Sequence, residues 1–586
     1  MKFLCAAILA LAVNAAAQSP CPATPHYSPC DIVFELNDGE AAAHPNPYLT
    51  VEIRAEFRSP RHRTLLLPAF WDGGRRMVIR FTPNEVGEWD YRISGNIQRF
   101  AGGLGKLTAT VSEAPGFIRV ANVHHFAYTE ERKPHLWMGD TSLRFAFLDA
   151  TEAQQLTDTR EAEKFNHMRL LAIGGPEDAK KIFPTPDTID PAHFQRLDER
   201  IVMLNRKGIV ADLLLASANN HLTALFPTWQ QRERYVRYMA ARYSGMNLTW
   251  QGVEEFESYE NGRPLMKEIG LLLKKSDPYQ HPRSSHARLT SAPLLEDGWM
   301  DYVVYQTADN QLGSVEHQLF AAPFVNTGFG KGAADADAFR KLLWNATMDG
   351  QYVTLGPGGD PKQMTVWFDF FSASRHWDLE PHFDVDGGRA VALEEIEYIV
   401  YLEKPVPVEI LMERHGYDVA WFNPINGEFI TQKKDFKGEK FSGEPPDDKH
   451  DWVLRLSRES KKESMLKSYR FEARRIVPQE VEQDAQKVPF EITAPLADEL
   501  SVAKAVAFSS KLKRETRASK QMKYVWTGEV AADGQGYRVI GTGAGGTFQI
   551  PRDVATKFPA VLHLRLTGLN GVGKLYSVDR IYKLVP

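Results

Sequence analysis

Over the first part of the chain, apolar residues fall at every second position. Leu49-Thr50-Val51-Glu52-Ile53-Arg54-Ala55-Glu56-Phe57 and Met77-Val78-Ile79-Arg80-Phe81 are two such runs. Successive side chains of a strand point to opposite faces, so this alternation predicts half-buried strands. Pro, Gly and Asn interrupt the runs about every ten residues, the spacing of an antiparallel sandwich. Trp71, Trp89 and Tyr91 supply core aromatics, and the expected unit spans residues 28–118.

After residue 120 the period changes. Strand-like runs at Leu136–Asp140, Met168–Ala172 and Ile209–Leu215 alternate with helical patterns. Between the last two, Pro191 to Lys207 places Phe194, Leu197, Ile201 and Leu204 on one helical face, and Gly208 supplies a stop. A second helix is expected at Arg234–Tyr243, with Tyr235, Tyr238, Met239 and Arg242 at helical spacing. Further strands are expected at Leu248–Val253, Tyr302–Gln306, Pro323–Asn326 and Tyr352–Leu355. Repeated strand–helix units over this length predict a (β/α)8 TIM barrel across residues 119–395. A doubly wound sheet is the competitor, but no strand end carries a phosphate fingerprint.

Strand texture then returns. Val406–Met412, Val419–Phe422 and Trp452–Leu456 predict a second sandwich over residues 396–477, with Arg458–Lys462 as a charged turn. Pro478 to Pro489 has the composition of a linker, and residues 490–586 read as an additional β-rich domain. The expected fold class is multidomain: a TIM barrel flanked by N-terminal and C-terminal antiparallel β-sandwiches.

Composition narrows the function classes. Of 586 residues, 43% are hydrophobic and 25% charged, which excludes a disordered chain. A net charge of −5 argues against a general nucleic-acid surface. Lys2, the apolar run Phe3–Val13 and Ala15-Ala16-Ala17 predict a signal peptide over residues 1–17. No later run reaches ~18 apolar residues, so no membrane span is expected. A secreted or periplasmic location follows, and Cys21 and Cys30 are expected to pair there. Nothing in the sequence signals an oligomeric state.

Several motifs dissolve on inspection. Gly541-Thr542-Gly543-Ala544-Gly545-Gly546 matches a dinucleotide fingerprint in letters, but a strand-like run follows where a helix must start, so a Gly-rich hairpin is expected. Gly328-Phe329-Gly330-Lys331-Gly332 lacks P-loop spacing. His124-His125, His281 with His286, and His376 with His382 lack the helical pair spacing of a metal site and read as structural histidines. No Gly-x-Ser-x-Gly elbow occurs. The informative stretch is Trp250-Gln251-Gly252-Val253-Glu254-Glu255-Phe256-Glu257, where a strand ends in three carboxylates. Barrels present catalytic groups at strand C-termini, and a protonated carboxyl suits a glycosidic leaving group. The bland alternative is an acidic solvent loop. Asp140, Asp212, Asn219 and Asn220 also fall near strand ends, and Trp229, Trp250, Trp299 and Trp344 are candidate sugar-stacking faces.

These segments together resemble the apiosidase-like (β/α)8 glycoside hydrolases, which carry an N-terminal β-sandwich and a C-terminal sandwich labelled collagen-binding. The resemblance rests on Phe70-Trp71-Asp72-Gly73, Arg80-Phe81-Thr82-Pro83, Met138-Gly139-Asp140-Thr141-Ser142, Phe165-Asn166-His167-Met168-Arg169, Asp277-Pro278-Tyr279-Gln280-His281 and Val419-Ala420-Trp421-Phe422-Asn423-Pro424, in order over residues 30–460. It implies that Glu255 is the acid/base and that Glu254 replaces the family's Asn. It also exposes two departures. The acidic residue expected after a later strand falls on Gly328, and Leu355-Gly356-Pro357-Gly358-Gly359 lacks an expected Glu. Glu254, Asp212 and Asp309 are the remaining candidates for base or nucleophile. Asp140, Arg169, Asn219, Asn220, Trp250, Asp309 and Asn326 are candidate substrate contacts. The expectation is a secreted glycoside hydrolase with a carbohydrate substrate and no metal or organic cofactor. The alternative is a degenerate barrel that binds glycans without cleaving them.

Overall fold

The structure, a computed structural model, describes residues 21, 23–129, 133–219, 222–259, 261–470, 480–516, 518–550 and 558–586. The expected signal peptide lies outside the described residues. The N-terminal unit has two sheets. Five strands run in the order Ala23–Pro25, Leu104–Thr110, Gly87–Gly95, Ile53–Arg58, Thr64–Pro68, and Cys30–Glu35, Arg76–Phe81 and Phe70–Trp71 form the second sheet. Ile53, Ala55 and Phe57 are buried while Arg54, Glu56 and Arg58 are exposed, the alternation that the pattern predicts. The strand expected from Leu49 begins only at Ile53. Pro47, whose fixed φ suits a first helical turn, opens a short helix at Pro47–Thr50 instead. Cys21 and Cys30 form a disulfide, their Cα atoms 6.2 Å apart.

Eight parallel strands follow: β1 (Met138–Thr141), β2 (His167–Leu171), β3 (Val210–Ala216), β4 (Leu248–Val253), β5 (Arg283–Ser284), β6 (Val303–Tyr305), β7 (Phe324–Phe329) and β8 (Gln351–Leu355). They pair in the order β5-β4-β3-β2-β1-β8-β7-β6. Between the two end strands the Asp301 N–H donates to the Arg283 carbonyl at 2.8 Å, which draws the sheet towards closure. The outer layer comprises α1 (Ala150–Ala162), α2 (Pro191–Arg206), α3 (Trp229–Tyr243), α4 (Gly262–Ser276), α5 (Asn310–Leu319), α6 (Ala336–Met348) and α7 (Pro361–Ser372). α2 buries Phe194, Leu197, Ile201 and Leu204, and Gly208 at φ +74° follows its end. α3 starts at Trp229 rather than Arg234, because Thr228 and Gln231 cap each other's backbone N–H groups. That polar first turn carries no apolar period.

The C-terminal sheet has seven antiparallel strands. Glu380–His382 pairs with Arg389–Leu393, which pairs with Glu397–Leu402, so this sheet starts before residue 396. The runs expected at Val406 and Val419 are one bent strand, Val408–Phe422. Arg458–Lys462 is not a turn but leads into the helix Glu459–Ser468. The last unit has two sheets. Its Gly-rich turn is no hairpin: it carries the chain from Tyr537–Thr542 in one sheet to Gly545–Phe548 in the other. No helix among the described residues is long and apolar enough to cross a membrane.

Candidate active site

The barrel interior is built in layers. At the N-terminal pole Trp137 stacks on His167, ring centroids 3.4 Å apart. Above it sits Asp212 of β3, only 1% exposed. Its carboxylate accepts from Thr249 Oγ1 at 2.8 Å, Tyr302 Oη at 3.0 Å and Gln251 Nε2 at 2.5 Å. Arg169 Nε lies 3.8 Å away. Burial pushes the Asp212 carboxyl up, and Arg169 with the three hydrogen bonds opposes this only in part. Asp212 and Arg169 are thus a core pair that ties β2, β3 and β4 to Tyr302 at the foot of β6, not groups open to substrate.

The C-terminal face carries the carboxylates. Where β4 ends, the Glu254 N–H donates to the carbonyl of Ala216, the last residue of β3, and the Glu255 N–H to the His286 carbonyl beyond β5. The chain turns there, with Glu255 in the left-handed region at φ +48°. The turn sends the two side chains apart. Glu254 accepts the Ala218 N–H at 3.0 Å and places Oε1 3.7 Å from His286 Nδ1. Glu255, with 35% of its side chain exposed, lies 3.2 Å from Arg288 Nε. His286 Nε2 meets Gln306 Oε1 at 2.7 Å. Burial, reinforced by the nearby Arg169 charge, keeps His286 neutral. Gly328 completes the rim: a Cβ there would meet only Gln306 Nε2, at 3.6 Å.

Beside this rim, the loops after β4 and β5 and the last unit enclose a cavity of about 590 Å³, lined by Glu257, Arg263, Arg288, Tyr537 and Arg538 among others. Glu257 accepts the Arg288 N–H at 3.1 and 3.3 Å. Surrounding protein pushes its carboxyl up to about 7, an effect tempered by the water that reaches this exposed group.

Several expected contacts lie elsewhere. Trp250 is fully buried, and its indole N–H donates to Asp277 at 3.0 Å, so it stacks on no sugar. Trp299 and Trp344 are equally buried. Asp140 turns outward, where Arg160 of α1 donates to it at 2.7 Å. Asn326 also faces away from the axis, donating to the Thr307 carbonyl and to Gln351. Asp309 caps α5, accepting from the Gln311 N–H, and its other oxygen accepts from Thr542 in the last unit. Asn219 lies on an exposed turn, and Asn220 falls outside the described residues. Arg288 and Gln306 carry no sequence motif, and His286, read from the sequence as a structural histidine, stands with them at the rim. Their only signal is register, each standing just past a short strand.

Residues 121–337 match the family model described as apiosidase-like, catalytic domain, and residues 23–96 match a domain of unknown function, DUF5060. The collagen-binding label for the C-terminal sandwich lies outside these matches. Comparison with curated proteins gives no match. Among solved structures, a candidate glycoside hydrolase from Bacteroides vulgatus is 19% identical, covers 74% of this chain and 99% of its own, and superposes with a TM-score of 0.63. A glycoside hydrolase family 5 protein from Bacteroides vulgatus is 14% identical, covers 62% of this chain and 97% of its own, with a TM-score of 0.50. The barrel is therefore similar to apiosidase-like catalytic domains, in a fold shared with glycoside hydrolases and preceded by a DUF5060-like unit.

Proposed function

We propose that this protein is an exported enzyme that cleaves glycosidic bonds in poly- or oligosaccharides at the barrel mouth. The observation that carries the reading is the end of β4, where two adjacent carboxylates diverge, one against His286 and one against Arg288 at the cavity edge. Glycosidic cleavage needs a proton for the departing oxygen and a second group for the incoming nucleophile. Glu255, which stands where the resembled family has its acid/base and has 35% of its side chain exposed, takes the first role. Glu254, beside neutral His286, takes the second by drawing a proton from water. Gly328 offers no carboxylate for direct attack, so water attacks and the anomeric centre inverts. Export is supported by the pattern of residues 1–17 and by the Cys21–Cys30 disulfide.

The test is sugar release by purified protein across a polysaccharide panel. Glu255→Gln should lower turnover of natural substrates by roughly 10²–10⁴-fold while sparing aryl glycosides with good leaving groups. Glu254→Gln should slow both classes. A Glu255→Gln variant with wild-type rates on a natural substrate defeats the assignment. Gly328 also favours a second reading, a barrel that binds glycans without cleaving them. Glycan-array binding without sugar release would support that reading, and release would reject it.

A further inference from the structure

At the pole opposite the mouth, three histidines from two distant segments converge on one carboxylate. His124 and His125 lie on the hairpin ahead of β1, His317 in the last turn of α5, and Glu380 on the first strand of the C-terminal sheet. His124 Nδ1 is 3.1 and 3.0 Å from Glu380 Oε1 and Oε2. His125 Nε2 is 3.2 Å from Oε1, and His317 Nε2 is 3.5 Å from Oε2. The ligand atoms of His124, His317 and Glu380 all fall within 4.8 Å of one another. Tetrahedral zinc bonds of ~2.0–2.1 Å set neighbouring ligand atoms roughly 3.3 Å apart, close to these separations.

The far side of two of the rings is held. His124 Nε2 lies 3.0 Å from the Phe320 carbonyl, which accepts its N–H and leaves Nδ1 as a lone pair aimed at a carboxylate. Two acceptors at that distance require a cation or a proton between them. His125 Nδ1 lies 2.8 Å from the Tyr352 hydroxyl. A backbone carbonyl behind the ring, as His124 has, is the support that metal-binding histidines receive. The His124, His125 and His317 side chains are 11%, 7% and 1% exposed, whereas Glu380 is 41% exposed, which leaves a way in from solvent.

We propose that His124, His317 and Glu380 bind one divalent transition-metal cation, Zn²⁺ by this nitrogen–oxygen donor set, while His125 holds the Glu380 carboxylate from outside. The ion clamps the hairpin, α5 and the C-terminal sheet together beneath the barrel. Sequence spacing could not show it, because the ligands come from three separate segments. The test uses the full chain without an affinity tag, stripped with a chelator and titrated with zinc chloride by calorimetry. Expected are one zinc per chain retained after dialysis, a higher melting temperature with zinc, and the visible d–d bands of tetrahedral cobalt on Co²⁺ substitution. Glu380→Gln should weaken zinc binding by more than about tenfold. His125→Phe, which keeps all three ligands but removes the hydrogen bond to Glu380 Oε1, should weaken it by about 10–100-fold. Wild-type chain that retains no stoichiometric zinc overturns the proposal, whatever the variants do. Equal zinc binding by folded Glu380→Gln overturns it as well.

Discussion

Gly328 sits at φ +64° near the end of β7, and beyond its chain neighbours the nearest atom to a side chain there is Gln306 Nε2. Space is therefore present, and the obstacle to a larger residue is the left-handed backbone, costing about 1–2 kcal/mol. A carboxylate here would stand beside the Gln306–His286 pair. Gly328→Glu should fold with a modestly lower melting temperature. It should also switch product stereochemistry towards retention, with a covalent glycosyl-enzyme detectable by mass spectrometry using an activated substrate. Unchanged inversion would show that this position does not face the sugar. Asp212 has the opposite environment: its carboxylate is enclosed by Thr249, Gln251, Tyr302 and Arg169, so it holds strands together rather than meeting a substrate.

Among the elements, α5 is unusual in being buried on both sides. Leu312 and Val315 pack in one cluster with Tyr305 and Phe324 of the barrel and with Val525, Leu569 and Leu575 of the last unit. Glu316, 3% exposed, is caught in this sandwich and accepts from Thr290 Oγ1 at 2.7 Å. Burial pushes its carboxyl from 4.5 up to about 7. Between those values the folded chain binds more protons than the unfolded chain, so stability falls as pH rises through that window and levels off above it. The full loss is on the order of 3 kcal/mol. Glu316→Gln should remove this slope and leave the protein more stable at pH 8, as read from denaturant midpoints across pH 4–8. An unchanged slope would place the pH dependence elsewhere.

For the whole molecule, the joint between the N-terminal sandwich and the barrel combines apolar packing of Tyr48, Phe70 and Val78 with a buried ionic network. Arg242 of α3, fully buried, donates to Asp198 at 2.8 Å, to Asp72 at 2.8 Å and to Tyr238 at 3.0 Å. Arg80 of the sandwich donates to Asp198 and Asp31, and both guanidinium groups lie over Phe70. Removing one partner of a buried network strands the others, so Arg242→Ala should cost roughly 3–5 kcal/mol. Asp31 is 41% exposed, and Asp31→Asn should cost under about 1 kcal/mol. Calorimetry should show the sandwich and barrel melting together in the wild type and in Asp31→Asn but separating in Arg242→Ala. Equal effects of the two substitutions would show that this network does not couple the units.

What the sequence determined by itself was what depends on near neighbours. The two-residue period of Ile53–Arg58, the helical face of α2 and the stop at Gly208 are set within a few residues of chain, and the structure follows them. The strand–helix alternation that reads as a barrel is also local, and so is the run of acids at the end of β4. Local patterns fail where polar residues build the element. The two-residue β5 and the capped first turn of α3 have no apolar period to show. Tertiary structure alone decided which side chains share a space. Strand register turned Asp140 towards Arg160, and burial took Trp250 to Asp277. The turn after β4 aimed Glu254 at His286 and Glu255 at Arg288. The physical reason is common to all three. A side chain's type and period are properties of the chain, whereas its neighbours depend on how strands far apart in sequence are paired and closed into a barrel.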